Sequence, residues 1–176
     1  MNIFFIDRCP IKSAQQLCDK HVVKMVLETA QMCSTAVHNW KEEDYYWIDC
    51  LKPKSLLDKI YKPAYQNHPM TKWVGSFGLN MIWAVQHGLA IGEEYKYRYA
   101  KDHSSTAVLQ AIKDHMEKLG WWDDVTERRY YTINDAPLCM PDEYKCDDYV
   151  EAYRNYYRKG KAHILKWTKR EKPEWI

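Results

Sequence analysis

The sequence predicts a mainly α-helical fold: one domain over residues 1–176, with about five helices, a short N-terminal β-strand and a long irregular loop before the last helix. Two long segments, residues 14–38 and 69–100, are mostly typical of helices. A chain of 176 residues suits a single domain with its own core, and neither a repeat nor a linker divides it.

The composition excludes several classes of protein. Hydrophobic residues make up 46% of the chain and charged residues 28%, and no apolar run approaches the roughly 18 residues that cross a bilayer. The opening MNIFFID is too short for a secretory signal and lacks its basic start. Six cysteines occur without a Cys-x-x-Cys pair, which favours reduced thiols. We therefore expect a soluble, cytoplasmic protein without a membrane partner.

The first elements follow from β propensity and a capping pattern. MNIFFID is rich in β-prone residues and stops at Pro10, so it predicts a short strand. Ser13 and Gln16 have the spacing of a capping box, and residues 14–38 then run without glycine or proline. This pattern predicts one helix from residue 14 to about 38.

The later elements are separated by prolines and glycines. Residues 51–69 contain three prolines, which predict a short helix at 55–61 within an irregular loop. The last of them, Pro69, suits the first turn of the next helix. Four glycines in that helix indicate close helix contacts or a kink. The elements expected after residue 61 are a helix from Pro69 to about Ala100, a helix at Ser105–Leu119, an irregular connection at 121–146, a helix at 147–159 and a basic aromatic tail.

The segment CDKHVVKMVLETAQ carries the first candidate site. At helical spacing, Asp19 falls in the middle of an apolar face, where a carboxylate needs a partner. That partner is either structural, such as an ion pair, or part of a catalytic site. His21, Lys24 and Glu28 lie on the flank of the same face, where they line a groove or form a solvated surface. Lys20 points further away and is expected to be exposed or to contact a phosphate, and not to be catalytic.

Two further segments could bind phosphate. Asn67 and His68 precede Pro69 at a helix start, where they could help to bind an anion or simply cap the helix. Glu94, Arg98 and Lys101 share one helical stripe, with Tyr97 beside them. This stripe is either an ordinary helix ion pair or a site that holds a phosphodiester or nucleotide and supplies a general acid or base.

The C-terminal segment is the electropositive end of a chain whose net charge is only +2. It interleaves basic and aromatic side chains, as a nucleic-acid surface does, although a solvated tail has the same pattern. The residues predicted for this surface are Arg154, Arg158, Lys161, Lys166 and Trp167.

Common cofactor and metal motifs are missing from the sequence. There is no phosphate-binding glycine loop, dinucleotide fingerprint, Gly-x-Ser-x-Gly or His-Glu-x-x-His. Cys18, His21, Cys139 and Cys146 could form a zinc site, but only the first two have ligand-like spacing. We predict no cofactor and no metal.

Six segments together give a resemblance that spans nearly the whole chain: MNIFFIDRCP, CDKHVVKMVLETAQ, YKPAYQNHP, EEYKYRY, PLCMPDEYK and YRNYYRKGKAHILKWTKREKPEWI. They resemble a family of small bacteriophage and large-DNA-virus proteins that is loosely labelled pyrimidine-dimer DNA glycosylase. The resemblance implies a viral protein that acts on nucleic acid or nucleotides in the host cytoplasm. A glycosylase-lyase of that type uses an N-terminal amine close to a catalytic glutamate. Here Met1 and Asn2 lead into an apolar segment, and no motif maps the label residue by residue.

The first functional hypothesis is a viral enzyme that cleaves an N-glycosidic or phosphodiester bond in DNA or a nucleotide. Asp19 or Glu94 would be the general base or would stabilise an oxocarbenium-like centre, and His21 would transfer a proton. The residues expected to bind substrate or phosphate are Lys24, Asn67, His68, Tyr97, Arg98 and Lys101.

Two alternatives belong to other classes. One is a non-catalytic phage protein that binds a host factor, a signalling nucleotide or nucleic acid, in host takeover or against host defence. The other is a metal-dependent nuclease. The oligomeric state cannot be read from the sequence.

Overall fold

The computed structural model describes residues 1–40, 52–122, 133 and 135–176. These residues form seven α-helices, which confirms the mainly α prediction. Their bounds are α1 Pro10–Gln16, α2 Asp19–Asn39, α3 Lys54–Leu57, α4 Pro69–Ser76, α5 Gly78–Tyr99, α6 Ser104–Lys118 and α7 Tyr149–Asn155. Short 3-10 turns occupy Asp142–Tyr144 and Ala162–Ile164, and a π turn occupies Tyr156–Gly160. That residues 1–176 form one domain stays a prediction.

The predicted N-terminal strand is wrong: the described residues contain no strand. Residues 3–6 are buried on every side, so their β-prone side chains reflect burial and not a sheet. In place of a neighbouring strand, side chains form hydrogen bonds to the backbone of this segment. Ser13 Oγ donates to the Phe4 carbonyl at 2.9 Å, and Arg154 Nε donates to the Ile6 carbonyl at 3.0 Å.

The predicted helix from residue 14 to about 38 is two helices. Pro10 begins α1, the chain becomes extended at Leu17 and Cys18, and α2 begins at Asp19. Because Ser13 Oγ bonds to Phe4, it forms no capping box. Tertiary contacts stabilise the extended backbone between the two helices: Arg98 donates to the Leu17 carbonyl, and the Cys18 N–H donates to the Tyr157 hydroxyl. Neither partner is near in sequence.

The predicted helix from Pro69 to Ala100 is also divided. Phe77 has extended backbone between α4 and α5. Glycines in α5 allow close helix contacts, as expected: a Cβ on Gly88 would come within 2.6 Å of Leu109 Cδ1. The helix predicted at Ser105–Leu119 matches α6.

The core lies around α2 and α5, which pack against each other and against α6. Helices α1 and α4 cover other sides of this pair. Much of the irregular connection predicted at 121–146 falls at 123–132 and 134, outside the described residues, whereas its last part is irregular apart from one 3-10 turn. Among the described helices, none combines the length and apolar character that a membrane span requires.

Candidate active site

The N-terminal amine lies beside a carboxylate of α2. The nitrogen of Met1 is 4.0 Å from Glu28 Oε2, and both side chains are largely buried. The peptide N–H of Asn2 donates to the same oxygen at 2.9 Å. Lys24, one turn earlier on α2, places its Nζ 3.0 Å from Glu28 Oε1. Glu28 is therefore surrounded by three nitrogen groups, one of which is a primary α-amine.

His68 lies near the same group of residues. It precedes α4, and its Nδ1 accepts a hydrogen bond from the Met70 N–H at 3.2 Å, so it caps the helix as the simpler interpretation predicts. Its pKa is lowered, first by burial and then by the positive N-terminal amine, while Glu28 raises it in opposition. These influences place His68 within electrostatic reach of Met1 and Glu28. Asn67 is exposed next to it.

His21 does not line a groove with Lys24 and Glu28, and that prediction is wrong. Its ring is buried, stacks on Phe4 with 4.3 Å between centroids, and places Nδ1 2.7 Å from the Tyr157 hydroxyl. Burial lowers its pKa to about 3, with Lys161 and Lys24 adding smaller effects. The imidazole is therefore neutral near pH 7, which weighs against His21 as a proton donor.

A second cluster of charged groups, here called the Arg98 cluster, consists of Asp19, Glu94, Arg98 and Arg170. Arg98 is fully buried and donates to Asp19 Oδ1 at 3.0 Å and to Glu94 Oε2 at 3.1 Å. It also donates to the Leu17 and Gln15 carbonyls. The expectation that Asp19 faces the core and needs a partner is confirmed in its geometry, and that partner is Arg98.

The remaining oxygens of this cluster are also occupied. Asp19 Oδ2 accepts from the Thr168 N–H at 3.0 Å, and Glu94 Oε1 accepts from Arg170 at 2.5 Å. The cluster therefore joins α2 and α5 to the C-terminal segment. These contacts favour the structural alternative for Asp19 and Glu94, and their catalytic role stays a prediction without support from the geometry.

The C-terminal segment packs against the helices. Trp167 Nε1 donates to the Gln16 carbonyl at 3.1 Å, and Arg154 lies over the Trp175 ring. Arg158 is engaged with Glu151 and with the Trp175 carbonyl. Lys161 lies 4.8 Å from the centre of the Tyr156 ring, and Lys166 is exposed. A nucleic-acid surface on this segment stays a prediction, with the two lysines better placed for it than the two arginines.

The predicted phosphate-binding residues divide between the two regions. Lys24 and His68 lie near the Met1 amine, whereas Arg98 belongs to the buried cluster. Tyr97 is exposed under Arg170, at 4.6 Å from the guanidinium carbon to the ring centre. Lys101 is exposed beyond the end of α5.

The zinc alternative gains no support. Within the described ranges, no three His, Cys, Asp or Glu side chains are placed to hold a metal ion. Cys18 is buried and Cys146 is exposed, so they do not face a common site.

The resemblance implies an N-terminal amine beside a glutamate, but the sequence does not show which glutamate that is. Helical spacing places Glu28 only on the flank of α2, together with His21 and Lys24. The role of Glu28 depends on its contact with Met1, 27 positions earlier in the chain, and helical spacing does not reveal such a contact.

Comparison with known proteins gives one result. A family model described as pyrimidine dimer DNA glycosylase matches residues 1–108, a span that includes Met1, Glu28 and His68. No curated protein and no solved structure matches the chain. The family identifies the protein as glycosylase-like and DNA-acting, and it confirms the glycosylase label of the resemblance. Because the match covers more than half of its residues, the chain belongs to the pyrimidine dimer DNA glycosylase family.

Proposed function

We propose that this protein is a DNA glycosylase with lyase activity that removes a damaged pyrimidine, with the N-terminal amine as nucleophile and Glu28 as its proton-transfer partner. The observation that carries the proposal is the 4.0 Å approach of the Met1 nitrogen to Glu28 Oε2, between two residues whose side chains are largely buried. An amine needs a nearby group that takes its proton if it is to attack carbon. Glu28 is such a group.

The chemistry that this pair supports begins at the sugar. The neutral amine forms a bond to C1′ of the deoxyribose, while the C1′–N bond breaks and its electron pair leaves with the base. Glu28 accepts a proton from the attacking nitrogen and donates it to the ring oxygen, which opens the ring and leaves an imine. The imine acidifies the C2′ hydrogen. Glu28, which is unprotonated again after donating to the ring oxygen, accepts that proton, and the electron pair of the C2′–H bond expels the 3′ phosphate and cleaves the strand.

The proposal holds for either of two chain starts. The nitrogen of Asn2 lies 2.9 Å from Glu28 Oε2, closer than that of Met1. Removal of Met1 would convert this peptide nitrogen into the α-amine, still beside the same oxygen. The intact mass of the purified protein identifies the form that is tested.

Basic side chains near the amine suit binding of the DNA backbone. Lys24 is mostly exposed. The pKa of His21 is lowered mainly by burial and then by Lys161 and Lys24, so both lysines lie near the same ring. Lys161 also lies over Tyr156, which pairs a cation with an aromatic ring. Lysines can neutralise phosphates and aromatic rings can stack on bases. A viral origin and action in the host cytoplasm remain part of this proposal, carried by the segments quoted above.

A trapping experiment tests the proposal. The protein is incubated with a duplex that holds one cyclobutane pyrimidine dimer, in the presence of sodium borohydride, which reduces an imine to a stable amine. We expect a covalent protein–DNA band on a denaturing gel, and strand cleavage at the dimer when borohydride is omitted. An undamaged duplex is the control and should give neither. Absence of both products from the damaged duplex would contradict the proposal.

A further inference from the structure

We propose that Asn2 and Tyr153 form a clamp that positions the N-terminal amine against Glu28, so that the C-terminal third of the chain completes the site. This inference rests on the proposed function. Asn2 precedes the first buried apolar residues, and Tyr153 lies on α7. The family match ends at residue 108, so α7 lies outside the matched span.

The clamp consists of hydrogen bonds that use both ends of the Asn2 amide. Its Nδ2 donates to the Cys139 carbonyl at 3.0 Å. Its Oδ1 accepts from the Ile3 N–H at 2.9 Å and from the Tyr153 hydroxyl at 3.0 Å. The Tyr153 hydroxyl has a second acceptor, the Pro137 carbonyl at 2.8 Å, and shares its single proton between the two. The side chain of Asn2 is thus fixed from three directions.

Tyr153 is a rigid part of this clamp. Its side chain is fully buried and packs against the rings of Phe4 and Phe5. Burial raises the pKa of the phenol well above its usual value, so the hydroxyl stays protonated and keeps its ability to donate. The Cys139 N–H approaches the same hydroxyl at 3.4 Å, which links the tyrosine to the segment that holds Asn2 Nδ2.

The position of the amine depends on such side-chain contacts because regular structure does not hold it. Residues 1–5 belong to neither a helix nor a strand. The amine lies one peptide unit from Asn2, and the Asn2 N–H is itself bonded to Glu28. Fixing the Asn2 side chain therefore restricts the backbone rotations that would carry the amine away from the carboxylate. Small displacements of a reacting group lower rates strongly.

Two of the three partners of the Asn2 side chain come from distant parts of the chain. Cys139 is 137 positions away and Tyr153 is 151 positions away. Glu28, by contrast, lies within the matched span. The residues matched by the family model thus supply the nucleophile and its carboxylate. The residues beyond the match supply the side-chain and backbone contacts that orient them. Tyr153 is a positioning residue in this arrangement.

The test uses the full-length protein and the Tyr153→Phe variant, which removes only the hydroxyl. Single-turnover formation of the borohydride-trapped adduct is measured alongside the Kd for the same damaged duplex. We expect adduct formation about tenfold slower, in line with the loss of the hydrogen bond that the hydroxyl donates to Asn2, and a Kd within about twofold of wild type. Tyr61→Phe is the matched control, since it removes a hydroxyl that bonds to Ser105. It should change neither quantity.

The outcomes separate the clamp from the proposed function. If wild-type protein forms no adduct and cleaves no DNA, the proposed function fails. If wild-type protein is trapped and Tyr153→Phe is trapped at the same rate, the clamp is overturned while the proposed function stands. If Tyr153→Phe lowered the rate of adduct formation and the affinity for DNA by the same factor, the clamp would also be overturned, because that pattern indicates general disruption of the protein.

A second variant keeps the test decisive if Tyr153→Phe does not fold. Asn2→Asp preserves the size of the side chain and the acceptor for Tyr153, but replaces the donor to the Cys139 carbonyl with an oxygen. We expect the same slower adduct formation with a Kd near the wild-type value. A wild-type rate in this variant would contradict the clamp.

Discussion

The Glu28 site, which consists of Glu28, Lys24 and the Met1 amine, and the Arg98 cluster both place carboxylates of buried residues against positive groups, yet their partners differ. Glu28 has an α-amine at 4.0 Å and a mostly exposed lysine. Asp19 and Glu94 have the guanidinium of a fully buried arginine and further donors from the C-terminal segment. An amine can lose its proton and attack carbon, whereas an arginine in proteins does not deprotonate. The partner of Glu28 can therefore act as a nucleophile, whereas the arginine that pairs with Asp19 and Glu94 cannot.

The largest effect is expected when the Arg98 cluster is broken. Arg98→Met would leave Asp19 without its guanidinium partner in a buried position, and it would remove one of the two partners of Glu94. We expect the free energy of unfolding to fall by about 3–5 kcal/mol, measured by urea denaturation. Arg8→Met is the control, because the exposed Arg8–Asp148 pair should contribute about 1 kcal/mol or less. Similar losses in the two variants would contradict a structural role for the cluster.

The next largest effect is expected on catalysis, when the carboxylate of the Glu28 site is removed. Glu28→Gln keeps the shape of the side chain but removes the group that accepts the proton of the amine. We expect adduct formation at least about 100-fold slower, measured in a single turnover on the damaged duplex. Glu93→Gln, which removes an exposed carboxylate of α5, should have no effect. A Glu28→Gln rate near wild type would remove Glu28 from the mechanism.

Acid is expected to destabilise the fold partly through His21. Its folded pKa of about 3 lies below the usual 6.5, so the unfolded chain binds a proton first as the pH falls. The contribution of neutral His21 to the free energy of unfolding is present above pH 6.5 and is lost as the pH falls from 6.5 toward 3. The free energy of unfolding is therefore expected to be lower by about 2 kcal/mol at pH 5 than at pH 8 because of this residue.

Urea denaturation of wild type and of His21→Gln at pH 8 and pH 5 measures this contribution. The variant should lose about 2 kcal/mol less than wild type between the two pH values. The buried His87, with a pKa lowered to about 4, titrates in both proteins and cancels from the comparison. Equal losses in the two proteins would show that His21 does not titrate as its burial requires.

The smallest effect on activity is expected from Asp19→Asn. The amide keeps an oxygen for one donor but weakens the pair with Arg98, so stability should fall by about 1–2 kcal/mol. Adduct formation by the folded protein should stay within about twofold of wild type. A loss as large as that of Glu28→Gln would instead support the catalytic role that the sequence suggests for Asp19.

Parts of the fold that depend on local pattern could be predicted from the sequence. Helix α6 agrees with its predicted bounds within a residue at each end, because its apolar spacing and Gly120 are local signals. The break between α1 and α2 could not be predicted, since Arg98 and Tyr157 hold it from other elements. The supposed strand failed for a related reason: complete burial and strand formation favour the same residue types.

In the candidate site, too, local sequence pattern predicted some features, whereas others depend on contacts between distant residues. The apolar face of α2 predicted that Asp19 is buried and paired, but helical spacing could not distinguish a structural partner from a reactive one. Glu28 was visible as a flanking residue. Its importance depends on where the chain's first nitrogen lies, and that position is set by Asn2 through contacts with residues 139 and 153.

The position of the trapped DNA on the protein shows directly whether the N-terminal amine is the nucleophile. The borohydride-reduced adduct is digested with trypsin and nuclease, and the modified peptide is sequenced by mass spectrometry. We expect the sugar fragment to be attached to the α-amine of the peptide that ends at Arg8. Attachment to the side chain of Lys24, Lys161 or another lysine would contradict the N-terminal amine as the nucleophile.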